Sequence, residues 1–319
     1  MSTIQRPDDG AYFFFRTFEF SGRLTSSIEI FEDISIVQTP MLWLKDLKGI
    51  DAAMMSQALP GFGVGYIPNV CLHRKDLGKE ERAEKSNFWI AVAAFRLFSP
   101  FAIRVSGELH LGSNGSLGAT LPHERMSPWF PPQGTSHSFT RVDLPLVATI
   151  ASRFDELLKM DAAAPRIHSA SWLFTQITTG TSNSYQLTCL GLFAILEALF
   201  DPQGYGKGGT MAARVGAFLS DFQSGWDIES FIAKEYVLTR HYLSHGAFSP
   251  KPNEDLSPQK AEVVGRLHEI VRLSLLGFMG LTDIELQGLF SRSSKKNRTG
   301  LAALGKAQGQ FLNKQKMWL

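Results

Sequence analysis

The sequence is poor in cysteine, with only Cys71 and Cys189 among its 319 residues. So few thiols argue against a disulfide framework, and a reducing cytosol is the simplest setting. The N-terminal residues MSTIQRPDDG lack the basic and then apolar pattern of a secretory signal. The longest apolar run, at 187–200, is too short for a bilayer and contains Glu197, so it predicts a buried core helix. These absences predict a cytoplasmic protein that does not enter a membrane.

Clusters of metal-ligating residues are also scarce. Six histidines have no cysteine or acidic residue at ligand spacing and are expected to be surface or structural residues: His73, His110, His123, His137, His168 and His268. His241 and His245 lie four residues apart, on one helical face, and that spacing can hold zinc. A zinc peptidase would carry glutamate where Tyr242 stands, and no third ligand is evident. We therefore expect no metal and no other cofactor, with zinc at this pair as an alternative.

Acidic residues are missing from the C-terminal tail, residues 291–319. This segment contains seven basic residues, so the rest of the chain carries −5 within the total of +2. A basic tail beside a mildly acidic body can bind a phosphate backbone or an acidic partner, although a solvated, partly disordered end has the same composition. Phe311, Met317 and Trp318 favour docking, because disordered tails are usually poor in aromatic residues.

The first half of the chain contains two kinds of periodicity. Aromatic and β-branched residues partly alternate with polar ones in three stretches that predict strands, 11–38, 61–75 and 101–119. Apolar residues at helical spacing predict helices at 41–59, 81–98 and 143–160. Residues 1–165 are therefore expected to form a mixed α/β domain.

From about residue 166 the pattern becomes helical throughout. Five segments predict helices, at 168–180, 184–200, 208–223, 227–245 and 257–280. The second carries an apolar stripe formed by Cys189, Leu192, Phe193, Leu196, Leu199 and Phe200. Asp227 can cap the fourth helix, and Pro258 suits the first turn of the last. The sequence thus predicts an α+β protein, in which an all-α helical bundle at 166–290 and the basic tail follow the mixed domain.

Glycines at 204–209 spell GYGKGG and invite comparison with a phosphate-binding loop. That loop needs two glycines flanking four residues, then lysine and serine or threonine, after a strand. Here Lys207 precedes the glycine pair and the upstream segment is helical, so we interpret 201–209 as a flexible turn between helices.

The residues RHYLSHG (240–246) bring one guanidinium and two imidazoles together. Arginine stays charged and can fork onto phosphate oxygens, and histidine titrates near neutral pH and can transfer protons. Arg240 and His245 are therefore a minimal set for phosphodiester cleavage. A similar pair, Arg104 and His110, lies in a predicted strand, whereas Arg240 and His245 are expected to close a long helix.

The helical half resembles a HEPN domain and, within that superfamily, the ApeA-like group. Three motifs carry the resemblance: a helix ending in AILEALF (194–200), Lys207 followed by MAARVGAFL (211–219), and Arg240-HYLS-His245-Gly246. The resemblance covers roughly residues 168–280. It implies metal-independent RNA cleavage, in which the ribose 2′-OH attacks the adjacent phosphorus and leaves a 2′,3′-cyclic phosphate.

The resemblance also implies residue roles and partners. His245 would be the general acid/base, Arg240 would hold the scissile phosphate and its developing charge, and His241 would be an auxiliary contact. It implies RNA as substrate and a homodimer formed through the helical domain, acting in prokaryotic anti-phage defence or a stress response. The N-terminal domain would sense an activating ligand or recruit a partner protein. Inactive relatives serve as nucleotide- or protein-binding scaffolds, which is the alternative function.

Supporting residues are expected around this motif. A carboxylate within an apolar helix needs a partner, so we expect Glu197 to form an ion pair with Arg240 or Arg214, with exposure to solvent at the helix end as the alternative. Tyr236 and Tyr242 could stack on bases, although core packing is expected of at least one of them.

Overall fold

The computed structural model describes residues 7–15, 19–46, 69–75, 85–98, 105–112, 116–120, 138–159, 165–178, 185–200, 207–220, 227–241 and 258–279. These residues fall into two compact units, the first containing those up to residue 152 and the second those from residue 153 onward. The division lies inside a helix at 144–159, ahead of the boundary at 165 expected from the sequence. A six-stranded sheet and a set of helices make the protein α+β, as predicted.

The first unit is built on an antiparallel sheet with the strand order β3-β4-β5-β1-β6-β7. Its strands are β1 (Gly10–Phe15), β3 (Ile28–Phe31), β4 (Ile34–Gln38), β5 (Val70–Lys75), β6 (Val105–Leu111) and β7 (Leu117–Thr120). A separate parallel pair joins β2 (Glu19–Phe20) to β8 (Ser138–Phe139). All of these except β8 coincide with the three stretches predicted as strands, with β1 and β7 each extending one residue beyond them.

Among the described residues of the first unit, α1 (Met41–Asp46) and α2 (Lys85–Phe98) are helices that pack on the sheet. Because side chains alternate along a strand, Tyr12 and Phe14 of β1 point to one face, where they pack with Leu44 of α1. Phe13 stacks on Phe88 of α2, with ring centroids 3.9 Å apart. Both faces of the central strand are therefore buried.

The other helices in the described part of the chain are α3 (Leu144–Lys159), α4 (Pro165–Thr178), α5 (Tyr185–Phe200), α6 (Lys207–Phe218), α7 (Ile228–Glu235) and α8 (Pro258–Met279). In the described part of the second unit every element is helical. The predicted stripe on α5 is buried along its whole length, from Cys189 to Phe200. Three rings from α5, α6 and α8 meet there, Phe200, Phe218 and Phe278, with centroids 5.1 to 5.5 Å apart.

Two predicted helix starts are confirmed. Asp227 has extended backbone angles and accepts a hydrogen bond from the amide of Ser230, which satisfies an otherwise unpaired donor of α7. Helix α8 begins at Pro258, whose fixed φ and missing N–H suit a first turn. Capping residues and first-turn prolines act within one helix turn, so helix starts can be predicted from them without knowledge of tertiary contacts.

The predicted helix at 227–245 changes its geometry partway. It is α-helical only to Glu235, and Tyr236–His241 form a π-helical turn, where the described segment ends. The hydroxyl of Thr239 donates to the carbonyl of Glu235 at 2.6 Å. Thr149 and Thr175 make the same bond four residues back inside regular α-helices, so this bond accompanies the turn and does not by itself produce it. The expectation of one unbroken α-helix is therefore wrong over residues 236–241.

Among the described residues, no helix combines the length and apolar character needed to span a bilayer. The basic tail 291–319 lies outside the described residues.

Candidate active site

The candidate site lies where α5 packs beside the π-helical turn. Phe193 and Glu197 are four residues apart on α5, and Tyr236 and Arg240 are four residues apart on the turn. The rings of Phe193 and Tyr236 meet edge to face with centroids 5.4 Å apart. This apolar contact places the two polar partners, Glu197 and Arg240, beside each other one turn further along.

Arg240 and Glu197 form the predicted ion pair. The Arg240 Nε donates to Glu197 Oε1 at 3.0 Å, and Nη2 lies 3.4 Å from Oε2. Each side chain is 25% exposed, so the pair is reached by solvent and can meet a ligand. The two-point contact fixes the plane of the guanidinium, because arginine presents its donors as a rigid fork.

Tyr236 holds the carboxylate from the other side. Its hydroxyl donates to Glu197 Oε1 at 2.9 Å, so one oxygen accepts from both Tyr236 and Arg240. Burial, together with the hydrogen bond to Glu197, raises the pKa of Tyr236 to about 12. The phenol therefore stays protonated at neutral pH and remains a donor. Of the two roles considered for this ring, the structure shows packing against Phe193.

Gly208 allows α6 to approach this cluster. A Cβ added there would lie 2.6 Å from Cδ1 of the Tyr236 ring, closer than side-chain atoms tolerate. Residues 207–209 form the first turn of α6, which confirms the start of the helix predicted at 208–223 and makes the overlapping flexible turn expected at 201–209 wrong for these residues. Residues 201–206 lie outside the described residues. The glycine serves close packing of a helix against an aromatic ring.

The Arg240 guanidinium keeps donors that point away from Glu197. Within the described part of the chain, its Nη1 makes no hydrogen bond and no ion pair. An arginine oriented from one edge and open at the other can bind the oxygens of a phosphate. The arrangement therefore supplies an oriented cation next to His241, which follows directly in the turn.

Arg214 takes a different position from the one considered for it. Its Nη1 donates to the backbone carbonyl of Phe200 at 2.6 Å, at the C-terminal end of α5. Burial lowers the pKa of the Arg214 guanidinium, and burial together with the charge of Arg214 lowers that of Arg166. Arg214 thus bonds to the end of the helix that carries Glu197, and Arg240 is the residue paired with the carboxylate.

Glu235 is a further buried carboxylate near the turn. It is 6% exposed, and burial raises the pKa of its carboxyl group. Lys234 Nζ lies 3.8 Å from Glu235 Oε1. Burial raises the pKa of Cys189 to about 12, and the negative charge of Glu235 acts in the same direction. Cys189 is therefore a protonated core thiol.

Several predicted site residues lie outside the described parts of the chain. The side chain of His241 is among them, although its backbone belongs to the turn. Tyr242, His245 and Gly246 lie beyond the last described residue of the segment. Nothing described therefore tests the zinc alternative at His241 and His245, and within the described residues no group of three or more histidine, cysteine or acidic side chains could hold a metal.

Four of the scattered histidines have structural settings. His73 is buried beside the Tyr12 ring and bonds to the carbonyl of Asp9 at 3.1 Å. His168 bonds to the carbonyl of Leu158, and His268 stacks on Phe174. His110 is a surface residue paired with Glu108 at 2.9 Å. His123 and His137 lie outside the described residues.

Two contributors to the site were missed at the level of sequence. The hydroxyl of Tyr236 was not expected to bond Glu197, although its spacing of four from Arg240 was a usable signal. The close approach at Gly208 had no signal, because a glycine beside Lys207 suggests a turn as readily as a packing contact.

Comparison with known proteins adds no relative. No protein-family model, no curated protein and no solved structure matches this chain.

Proposed function

We propose that this protein is a metal-independent endoribonuclease whose helical unit is a HEPN-type bundle. The observation that carries the proposal is the Arg240 guanidinium, fixed on one edge by Glu197 and open on the other, on a π-helical turn. π-Helical turns are rare and often occur at functional sites. The same turn leads into His241 and the residues up to His245.

The proposed reaction needs only protein side chains. One imidazole, that of His245, removes the proton of the ribose 2′-OH, whose oxygen attacks the neighbouring phosphorus. Arg240 stabilises the charge that grows on the phosphate oxygens. The bond to the 5′-oxygen breaks, that oxygen takes a proton from the now protonated imidazole of His245, and a 2′,3′-cyclic phosphate remains. His241 serves as an additional proton or phosphate contact, and Tyr242 as a stacking residue.

Assembly and setting complete the proposal. We place two copies of the helical unit side by side as a cytoplasmic homodimer, so that both motifs face one RNA. Val237 and Leu238 support a protein contact near the motif, because they are 51% and 53% exposed although apolar. The first unit would respond to an activating ligand or partner protein, in defence against phage or in a stress response, and the basic tail would contact RNA.

The decisive experiment is RNA cleavage by the full chain with EDTA present. Arg240→Ala and His245→Ala should each reduce cleavage by about 100-fold or more, since each removes one element of acid–base or charge catalysis. Arg266→Ala is the matched control, because Arg266 is an exposed arginine paired with Glu262 on α8, and it should cleave like wild type. Products ending in 2′,3′-cyclic phosphate identify the reaction.

A catalytically inactive scaffold that binds nucleotide or protein is the second candidate. Two observations favour it: the charge of Arg240 is already balanced by Glu197, and apolar side chains stand exposed beside it. If wild type and both variants leave RNA equally intact, while a bound protein or nucleotide depends on Val237 or Arg240, the scaffold replaces the nuclease.

Metal analysis of the purified protein tests the zinc alternative. We expect no bound zinc. Stoichiometric zinc that disappears in His241→Ala would overturn the roles given to His241 and His245.

A further inference from the structure

A second candidate site lies in the first unit, at the edge where four neighbouring strands of the sheet begin or end. A cleft of about 260 Å³ is lined by the end of β5, the start of β1, the end of β6 and the start of β7. Its volume is close to that of the smallest ligand-binding pockets in proteins. Its position and residues are unconnected with Arg240, so this inference does not depend on the proposed nuclease.

The floor of the cleft is made of small residues. Directly paired residues of an antiparallel sheet share a face, and the register places Arg74, Ala11, His110 and Gly118 in one row across β5, β1, β6 and β7. Arg74 and His110 therefore stand about 10 Å apart, two strand spacings, with only a methyl group between them. Gly118 leaves the far end of the row open.

Gly10 shapes the same end of the sheet. It has a φ of +138°, and a Cβ there would lie 2.1 Å from the carbonyl oxygen of Arg74. The backbone of β1 thus approaches that of β5 more closely than any residue with a side chain would allow. The small residues Ala11 and Gly118 therefore lie at the end of the sheet where β5 ends in the basic residues Arg74 and Lys75.

The strongest indication of a ligand is the setting of Arg74. It is only 9% exposed, yet within the described residues its guanidinium has no carboxylate partner and contacts the Phe13 ring, 6.0 Å from the centroid. A largely buried guanidinium without a counter-ion is costly, and the cleft is where an anion could reach it.

The charged residues that line the cleft are basic. Lys75 is exposed at the end of β5 and lines the cleft beside Arg74, and His110 lies in the same row as Arg74, two strands away. None of the described residues that line the cleft is acidic. The nearest carboxylate to His110 is Glu108, which holds its Nε2 at 2.9 Å and leaves Nδ1 for another partner.

We propose that this cleft binds a small phosphate monoester, of the size of a sugar phosphate or a nucleoside monophosphate. Arg74 would hold the phosphate with its planar fork, and Lys75 would add a second positive charge to match a dianion. His110 would donate a hydrogen bond from the opposite strand. The sugar or base would lie on the floor of Ala11 and Gly118, between Arg74 and His110.

Calorimetric titration of the full chain tests this site. The probes are inorganic phosphate, ribose 5-phosphate and adenosine 5′-monophosphate, with ribose and adenosine as uncharged counterparts. We expect saturable binding of at least one of the phosphates with a Kd below about 1 mM. Arg74→Gln should weaken it by about tenfold or more, the effect of losing a charge-assisted hydrogen-bonding group.

Two further variants protect the test against misfolding of Arg74→Gln. Lys75 is exposed, so Lys75→Glu should fold and bind the phosphate at least severalfold more weakly, while Arg141→Glu is the matched control at an exposed arginine outside the cleft. Gly118→Val should fill the cleft, whereas Gly118→Ala adds a Cβ in ordinary contact with His110, at 3.7 Å, and should keep binding.

Each outcome decides the proposal. Binding lost in Lys75→Glu and Gly118→Val but kept in Arg141→Glu and Arg240→Ala supports a phosphate site in the first unit. No saturable binding of any of the three phosphates overturns it. Equal binding of adenosine and its monophosphate also overturns it, because recognition would then not involve the phosphate.

Discussion

At the scale of the residue, Glu197 is the side chain that binds both of the other polar groups of the candidate site. One of its oxygens accepts hydrogen bonds from the phenol of Tyr236 and from the guanidinium of Arg240. The apolar stripe of α5 continues on either side of it. A single acidic side chain thus fixes the direction in which the Arg240 guanidinium faces solvent. Its removal should reduce activity more than stability.

Replacing Glu197 with glutamine tests this positioning role. Glu197→Gln keeps a hydrogen-bond acceptor for Tyr236 but removes the charge that holds Arg240, so the free energy of unfolding should fall by about 1 kcal/mol. In the proposed cleavage reaction kcat should fall about tenfold or more with a smaller change in KM, because the phosphate is still bound but badly oriented. Steady-state kinetics and urea unfolding measure the two effects.

The matched control for that substitution is Glu262→Gln on α8. Glu262 is 59% exposed and pairs with Arg266, and exposed pairs contribute little to stability. Glu197→Asp, which restores the charge, should recover part of kcat. Equal loss in Glu197→Gln and Glu262→Gln would show that Glu197 does not position Arg240.

Tyr236 makes stability depend on pH in the alkaline range. Its folded-state pKa of about 12 exceeds the ordinary value of 10.0, so the folded protein holds the phenolic proton more tightly. Its contribution is fully present below pH 10 and is lost as pH rises through 12. The free energy of unfolding should fall less steeply between these values in Tyr236→Phe than in wild type, as measured by urea unfolding at several pH values. Parallel curves for the two proteins would contradict the bond to Glu197.

The Glu197–Arg240 pair could be predicted from sequence because a lone carboxylate in an apolar helix has few ways to be satisfied. The hydroxyl of Tyr236 could not be assigned in the same way. A tyrosine at core spacing is explained by its ring alone, and only the positions of α5 and the turn show where its oxygen points.

At the scale of the element, two adjacent glycines at the start of α6 have opposite surroundings. Gly208 lies against the Tyr236 ring, whereas nothing lies within 4 Å of a Cβ placed on Gly209. Gly208→Ala should therefore destabilise the protein by about 1–3 kcal/mol through overpacking. Gly209→Ala should leave stability unchanged or raise it by up to about 1 kcal/mol through better helix propensity. Thermal unfolding of the pair measures both.

The two substitutions control for each other, because they add the same methyl group to the same helical turn. Equal effects on stability would show that α6 does not approach Tyr236 as closely as described. If only Gly208→Ala loses stability, its added methyl group also displaces the Tyr236 ring. RNA cleavage should then decrease in Gly208→Ala and not in Gly209→Ala.

Helix positions were largely predictable from periodicity and capping, as Asp227 and Pro258 illustrate. The π-helical turn was not. Its sequence, YVLTRH, also suits an α-helix, and the bond from the Thr239 hydroxyl to the carbonyl of Glu235 has counterparts in regular helices, as at Thr175. The packing of Tyr236 and Arg240 against α5 favours one of two locally similar choices, and a sequence read in isolation does not contain that packing.

At the scale of the whole molecule, each unit contains one fully buried cysteine, Cys71 on β5 and Cys189 on α5. Burial raises the pKa of each thiol to about 12, so neither should react with Ellman's reagent in the folded protein at pH 8. In urea, Cys189→Ala should report the unfolding of the first unit through Cys71, and Cys71→Ala that of the second. Either thiol reacting without urea as fast as in unfolded protein would contradict its burial.

The phosphate cleft and the candidate active site belong to different units, so a substitution in one site should leave ligand binding at the other unchanged. Arg74→Gln should leave RNA binding to the second unit intact when no phosphate monoester is present, and Arg240→Ala should leave phosphate binding intact. The cleft could not be predicted from the sequence, because its floor combines β1 with β6 and β7, which lie far from β1 along the chain.

The π-helical turn has a consequence for deletions. Its hydrogen bonds close over five residues where an α-helix closes over four, so it accommodates a residue that a regular helix would not. Removing Val237 or Leu238 would let the turn rewind as α-helix while the side chains beyond it kept nearly the same direction, because the deletion takes away the residue that the wider turn accommodates. The guanidinium would still face α5, whereas deleting a residue from the regular helix α7 would swing every later side chain by about 100° around the axis.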